Sequence, residues 1–501
     1  MSGSMRTWAG VVAAAAAIAV SQLVAALLGV VESPVLAVAQ LAVQLTPGGV
    51  AEPVIATVGR ADKPIAIVVT LLAIVALGAV IGRWWPSVKA NALVVVLIVL
   101  SAAAVVARPN TTVGGLLACA AGGLVLAGVL GLLIRTPSTH ARPDAEDADG
   151  RRRFLRLSGL LALGAVVAGG LGEVLSARSA RRADVERARS VLASAPGRVP
   201  APAGTDLGIA VQPRWKTPNG EFYRIDTALT VPLIDPADWT LRIHGMVDRP
   251  MTLTYKDLVD RGLKDAWITM CCVSNPVGGD LISNTVFSGV PIADILKEVG
   301  VQADADCLFS TSDDGWTCGT PVSALTDGRD ALLALEMDGV PLPIEHGFPV
   351  RQVVPGLYGY VSGTKWVVDW ELTQFSKVSA YWTDRGWAEQ GPIKTESRID
   401  VPRSDVKAGR VPVAGVAWAP HRGIEGVEVR VDGGRWQEAT LARVPSTDTW
   451  VQWSWDWDAS EGDHVVEVRA IDKGGEPQTA VRAEPIPDGA SGWHRISVSV
   501  S

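Results

Sequence analysis

Charge is scarce in this chain: only 19% of its 501 residues are Asp, Glu, Lys or Arg. A soluble protein carries about a quarter, so part of the chain is not built for water. Cysteine is scarcer still. Cys119, Cys271, Cys272, Cys307 and Cys318 are too few for a disulfide framework, and no C-x-x-C-H haem-attachment pattern occurs. The hydrophobic fraction of 48% excludes a disordered chain, and a formal net charge of −7 argues against a nucleic-acid partner.

What charge there is divides in two. Residues 1–200 hold 18 Lys/Arg against 10 Asp/Glu, and residues 201–501 hold 27 against 42. Trp8, Trp84 and Trp85 lie in the first part, and the other fifteen Trp lie after position 200. Apolar runs near 8–31, 64–84, 90–107, 112–134 and 157–175 predict five membrane spans within an anchor over 1–176, each close to the ~20 residues a bilayer requires. The shorter run Pro34–Thr46 reads as interfacial or re-entrant. Arg6, Arg83, Lys89 and the arginines of 135–156 mark cytoplasmic loops by the positive-inside rule. The N-terminus is therefore expected in the cytoplasm, and everything after 176 outside a multi-pass plasma-membrane anchor. Arg108, in a short outer loop, is a misfit. None of the spans contains His, which excludes a membrane haem held by two imidazoles. Arg151-Arg152-Arg153-Phe154-Leu155-Arg156 before a moderately apolar run resembles a twin-arginine export signal.

Residues 177–205 read as a Pro/Ala/Arg-rich linker whose prolines favour an extended form. Beyond it, residues 206–394 mix short strands and helices. Trp239–Gly245 alternates as a strand, Thr254 with Asp257 predicts a capped helix, and Ile292–Val299 predicts an amphipathic one. Residues 395–501 lose helical periodicity. Val427–Val431, the turn Asp432-Gly433-Gly434, Val465–Ala470 and Ile496–Val500 predict a β-sandwich.

Cys271 and Cys272 end an apolar strand and open a loop marked by Asn275-Pro276 and Gly278-Gly279. Two small core residues would fit that place, and so would a thiolate ligand. The surrounding motifs bear on the choice. Met337-Asp338-Gly339-Val340-Pro341-Leu342-Pro343, His346-Gly347-Phe348-Pro349-Val350-Arg351, Val354-Pro355-Gly356 and Lys365-Trp366 follow one another in the chain. That succession resembles the sulfite-oxidase superfamily of molybdopterin-dependent oxidoreductases, over about 222–500. Asn275-Pro276-Val277-Gly278-Gly279-Asp280-Leu281 is similar to its bacterial membrane-anchored branch.

The resemblance implies an anchor joined to an α+β molybdopterin-binding domain and an immunoglobulin-like sandwich. It implies molybdenum–molybdopterin as cofactor and oxygen-atom transfer as the reaction. Cys272 matches the metal ligand, three residues before Asn275. His346, Arg351 and Ser362-Gly363-Thr364-Lys365 match the pterin-binding positions, Arg224 an Arg near the metal, and Asp313-Asp314 a region that meets the pterin ring. No haem or iron–sulfur ligand set is visible, so a separate electron partner, a cytochrome or quinone-linked protein, is expected. A homodimer through the C-terminal domain is a further expectation. Three departures affect the substrate. Arg224-Ile225-Asp226 stands where sulfite oxidases have Arg-Asn-His, Cys318 takes the place of an active-site Tyr, and no basic pair follows Asn275. Sulfite oxidation and S- or N-oxide reduction both stay open, as does a disulfide between Cys307 and Cys318. The competing class is a membrane-anchored binding or assembly module that keeps the fold without redox activity.

Overall fold

The computed structural model describes residues 3–47, 50, 62–108, 112–134, 143–174, 177–192 and 199–501. By its internal contacts the chain forms two units. One comprises residues 1–185 with 228–233, the other residues 186–227 with 234–501.

Among the described residues of the helical unit, four helices are long and apolar enough to cross a membrane: Gly3–Leu27, Lys63–Trp84, Val88–Val106 and Val113–Ile134. The fifth expected span falls inside a 32-residue helix, Pro143–Val174. Its apolar part, Phe154–Gly170, is shorter than the other four. The export-like arginines lie on that helix, but the side chains at 151 and 153 are outside the described residues, as are His140 and its loop. Small side chains let the first helix approach its neighbours closely. A Cβ on Gly10 would sit 2.0 Å from the Gly78 carbonyl oxygen, and one on Gly82 would meet the Gly10 backbone at 2.7 Å. In lipid, such close backbone approach replaces the hydrophobic drive that water would supply. Arg108, the topological misfit, has a partner. Its Nε donates to Glu32 Oε2 at 2.7 Å and its Nη2 to Oε1 at 3.2 Å, so the positive charge is matched by a carboxylate 76 residues away.

Residues Ala228–Leu233 belong to this unit by their contacts. Gln40 Oε1 accepts from Leu229 N at 2.9 Å, and Glu32 Oε1 accepts from Thr230 Oγ1 at 3.2 Å. Arg178 donates to the Val231 carbonyl at 2.6 Å and Arg181 to that of Leu233 at 3.3 Å. The first sixteen residues of the expected extended linker are instead a helix, Ala177–Leu192. That stretch contains neither Pro nor Gly, and the prolines begin only at Pro196. Residues 193–198 are outside the described residues.

The second unit is built on two sheets and a sandwich. Strands β1 (Thr240–Gly245), β2 (Met251–Thr254), β5 (Cys307–Ser312), β6 (Thr317–Pro321) and β10 (Val367–Thr373) form one sheet in the order β2-β1-β10-β5-β6. Strands β3 (Lys264–Cys271), β4 (Ile282–Pro291), β7 (Leu332–Met337) and β8 (Val340–Pro341) form the second, with β9 (Arg351–Val353) pairing β7. β4 is buried along almost its whole length because it lies between β3 and β7 with both faces covered. Thr254 and Asp257 close a capping box on the helix Tyr255–Asp260. Ile292, Ile295, Leu296 and Val299 put one face of the next helix into the core, each worth about 1.5–3 kcal/mol of burial.

The C-terminal part has two four-stranded sheets. β11 (Glu396–Val401), β12 (Gly409–Trp418), β15 (Thr440–Leu441) and β16 (Val451–Ala459) make one. β13 (Ile424–Val431), β14 (Gln437–Glu438), β17 (Gly462–Asp472) and β18 (His494–Val500) make the other. Val413 and Trp453 from the first share a core with Val429 and Val468 from the second.

Candidate active site

Strand β3 delivers two buried thiols to a pinched loop. Cys272 N donates to the Leu281 carbonyl at 2.9 Å, Asn275 N to the Cys272 carbonyl at 3.1 Å, and Leu281 N to Asn275 Oδ1 at 2.9 Å. Gly278 has φ +79°, and a Cβ there would meet the His494 ring at 2.3 Å, so only glycine fits. Arg398 Nη1 donates to the Gly279 carbonyl at 2.6 Å, which ties the loop to β11. The two thiols differ in surroundings. Burial pushes both upward; the amide and hydroxyl of Ser274 pull Cys272 back, while at Cys271 the Glu396 carboxyl and Cys272 add to the rise and Arg398 and Asn275 oppose it. Of the two, Cys271 is held further from ionisation.

The cationic residues come together from three segments. Arg351 and Lys365 face each other across an antiparallel bridge, and His346 ends a 3-10 turn, Ile344–His346. Gly347, at φ +109°, lets the chain pass between them, since a Cβ would meet those of Arg351 at 3.0 Å and Lys365 at 3.1 Å. Asp226 Oδ2 accepts from Arg224 Nε at 2.8 Å and from Lys365 Nζ at 3.1 Å. Lys365 also donates to the Glu345 carbonyl at 3.1 Å. Burial lowers Lys365 to about 8, Asp226 pulling the other way, and lowers Arg351 to about 10. Burial, reinforced by Lys365 and Arg351, lowers His346 to about 3, so its imidazole is neutral.

Several buried polar atoms at this place have no hydrogen-bond partner: Arg351 Nε, His346 Nδ1 and Asn275 Nδ2. Such atoms normally find partners in a folded protein, and leaving one unmade costs about 1–3 kcal/mol. Two of the three are N–H donors whatever their tautomer, so this chemistry fits a polar, anionic group. The residues present therefore suit a phosphate-bearing cofactor.

The remaining expected residues fall as follows. Ser362 Oγ donates to the Leu357 and Tyr358 carbonyls, Gly363 N to the Gly359 carbonyl at 2.8 Å, and Ser310 Oγ to Thr364 Oγ1 at 2.9 Å. Those bonds hold the backbone that carries Lys365. Asp313 N donates to the Trp366 carbonyl at 2.8 Å, and Asp314, in the same turn, accepts from Trp316 N at 3.1 Å. Cys318, the second residue of β6, lies fully buried with Sγ 3.6 Å from Thr320 Oγ1, and burial pushes its thiol up to about 11. The register pairs Cys307 with Pro321 and Ser310 with Cys318. Cys307 and Cys318 therefore point to opposite faces of the sheet, and both are free thiols. Trp215 and Trp366 are core residues, each with its indole N–H on a buried carbonyl.

Two residues gain importance only in three dimensions. Tyr223 is next to Arg224 in sequence, and its phenol is pushed up by burial first and then by the Cys272 and Cys271 thiols, with Arg351 opposing. It thus connects the thiol loop with the cationic group. Glu396, on β11, is buried with Oε1 unpartnered, and burial raises its carboxyl from the usual 4.5 to about 8. A raised folded value means the folded state holds a proton the unfolded state has lost. The stability this provides is full below pH 4.5 and lost as pH rises through about 8. Glu396→Gln is expected to gain stability over the native chain between those limits, by a few kcal/mol at the upper end. Thermal unfolding of both proteins from pH 5 to 8 checks this, and parallel curves would contradict it.

Residues 228–382 match the oxidoreductase molybdopterin-binding domain. The chain is similar to the uncharacterized oxidoreductase YuiH of Bacillus subtilis, 32% identical over 31% of this chain and 76% of that one. It is similar to the sulfite oxidase of Gallus gallus, 28% identical over 48% of this chain and 63% of that one. The mitochondrial sulfite oxidase of Homo sapiens is 28% identical over 57% and 62%. The chain thus spans somewhat under two thirds of each of these two sulfite oxidases. In fold it is similar to the sulfane dehydrogenase SoxCD of Paracoccus pantotrophus, with a TM-score of 0.50, 23% identity, and coverage of 57% of this chain and 81% of that one.

Proposed function

We propose, since this chain belongs to the molybdopterin-binding oxidoreductases of the sulfite-oxidase superfamily, that it is a membrane-anchored enzyme working by two-electron oxygen-atom transfer. The cofactor of that family is molybdenum–molybdopterin, and when bound it supplies the redox chemistry. The observation that carries the reading is the group of buried, unpartnered polar atoms on Arg351, His346 and Asn275 beside the Cys272 loop.

Cys272 is the metal ligand, a soft thiolate on a rigid strand end. Arg351, His346 and Lys365 hold the cofactor's phosphate and pterin, aided by the backbone of Ser362, Gly363 and Thr364. Asp313 and Asp314 fix the turn against Trp366, and Tyr223 excludes water between ligand and cradle. Arg224, with a side chain 38% exposed, meets the substrate. Cys318 supports the cradle from behind through Thr364 rather than meeting substrate.

Four apolar helices support membrane association. The arginine distribution, with Arg108 paired to Glu32, supports a cytoplasmic N-terminus and an extracytoplasmic catalytic unit in the plasma membrane. That topology requires Phe154–Gly170 as a fifth crossing, near the lower end of the ~17–25 residues that suffice. A twin-arginine signal at 151–156 would export the unit already folded around its cofactor. The C-terminal pair of sheets is read as an immunoglobulin-like sandwich and a homodimer surface. Electrons pass to or from a separate cytochrome or quinone-linked protein.

The test is metal and pterin analysis of the full chain purified in detergent. Roughly one molybdenum per chain is expected, as a single Cys-ligated centre requires. A metal-free, stably folded protein would favour a binding or assembly module instead.

A further inference from the structure

We propose that Asp226 sets the substrate class of this site: its carboxylate takes up cationic charge that a dianionic substrate would need, so the site accepts substrates without net negative charge. This rests on the reading of the site as a molybdopterin centre. The Asp226 side chain is only 6% exposed and accepts from both Arg224 Nε and Lys365 Nζ. A carboxylate so buried and doubly paired is a fixed part of the site's charge, not a solvated surface group.

The charges can be counted. Arg224, Arg351 and Lys365 are cationic, His346 is neutral, and Asp226 is anionic, which leaves a net of two positive charges. A phosphate monoester carries about −1.5 to −2 at pH 7. With the cofactor's phosphate bound, the cradle is close to neutral. A second dianion would then enter a buried place with no charge left to meet it, which is strongly unfavourable. An uncharged oxide asks less, a single donor toward its oxygen. Arg224 can provide it, because Asp226 engages its Nε and the side chain as a whole is 38% exposed.

The experiment uses the full chain in detergent, with molybdenum and pterin content measured for every variant. Sulfate serves as an inert dianion, titrated by calorimetry into the native chain, Asp226→Asn and Asp226→Glu. Expected are weak binding to the native chain and to the Glu variant, and a dissociation constant at least about tenfold lower for Asp226→Asn, rising with salt. Sulfite, as substrate, should gain in Asp226→Asn through KM rather than kcat. Tight sulfate binding to the native chain, or equal affinity in native and Asn proteins at full molybdenum content, overturns the proposal. So does loss of molybdenum in Asp226→Asn alone, which would make Asp226 part of the cofactor cradle. A native chain without molybdenum overturns the molybdopterin reading itself and is distinguished by that measurement.

Discussion

Cys272→Ala is expected to yield a folded chain without molybdenum, with activity below that of the native enzyme by more than the ~10–100-fold that loss of an outer partner costs a metal site. The neighbouring Cys271→Ala is expected to keep its metal. Both thiols are buried and adjacent, so packing alone predicts similar effects for the two. Their chemistry differs. Cys272 has Ser274 to favour its thiolate, whereas Cys271 donates to the Cys272 carbonyl at 3.5 Å and feels the Glu396 carboxyl. Metal analysis with circular dichroism on both variants decides it. A metal-bearing Cys272→Ala, or a metal-free Cys271→Ala, would reassign the ligand.

Arg351→Met should change stability in opposite directions with and without cofactor. Arg351 is 4% exposed, donates one bond to the His346 carbonyl at 3.2 Å, and leaves Nε unpartnered. Its guanidinium lies 5.6 Å from the Phe287 ring centroid, an apolar neighbour that suits a thioether. Removing a poorly paired buried charge is expected to stabilise the cofactor-free chain by about 1–3 kcal/mol. Charge-assisted hydrogen bonds to a ligand are worth about 1.5–3 kcal/mol, so retention of the cofactor should fall roughly ten- to hundredfold. Thermal unfolding of the cofactor-free proteins, beside pterin content after purification, tests both signs. Lower stability of the cofactor-free variant would show that the guanidinium is a structural group.

The elements legible in the sequence are those whose signals are local. The alternation at Trp239–Gly245, the Thr254–Asp257 cap and the helix Ile292–Val299 are all present in the fold, because each is decided by neighbours a few residues away. The four strongest apolar runs are helices for the same reason. Long-range pairings were not legible. In sequence Arg108 is a misfit because its partner Glu32 is 76 residues away, and the helix Ala177–Leu192 is masked by prolines that begin only after it.

In the site, motif order singled out His346, Arg351 and Lys365, which the fold brings together. Tyr223 and Glu396 carry no motif of their own, and their place depends on how separate segments pack. The motif position of Cys318 does not give its neighbours: in the fold its thiol meets Thr320 and Thr364, and strand register sets it on the face opposite Cys307.

The six residues Ala228–Leu233 bear on the order of assembly. The polypeptide passes from one unit to the other at 185/186, returns at 227/228, and leaves again at 233/234. The bonds that Gln40, Glu32, Arg178 and Arg181 make to Leu229, Thr230, Val231 and Leu233 therefore form only after that segment has been synthesised. The bundle is completed late, by a piece of chain that arrives behind part of the cofactor-binding unit. A cut in the linker would leave the anchor lacking its last segment and the other fragment carrying a strap with nothing to bind.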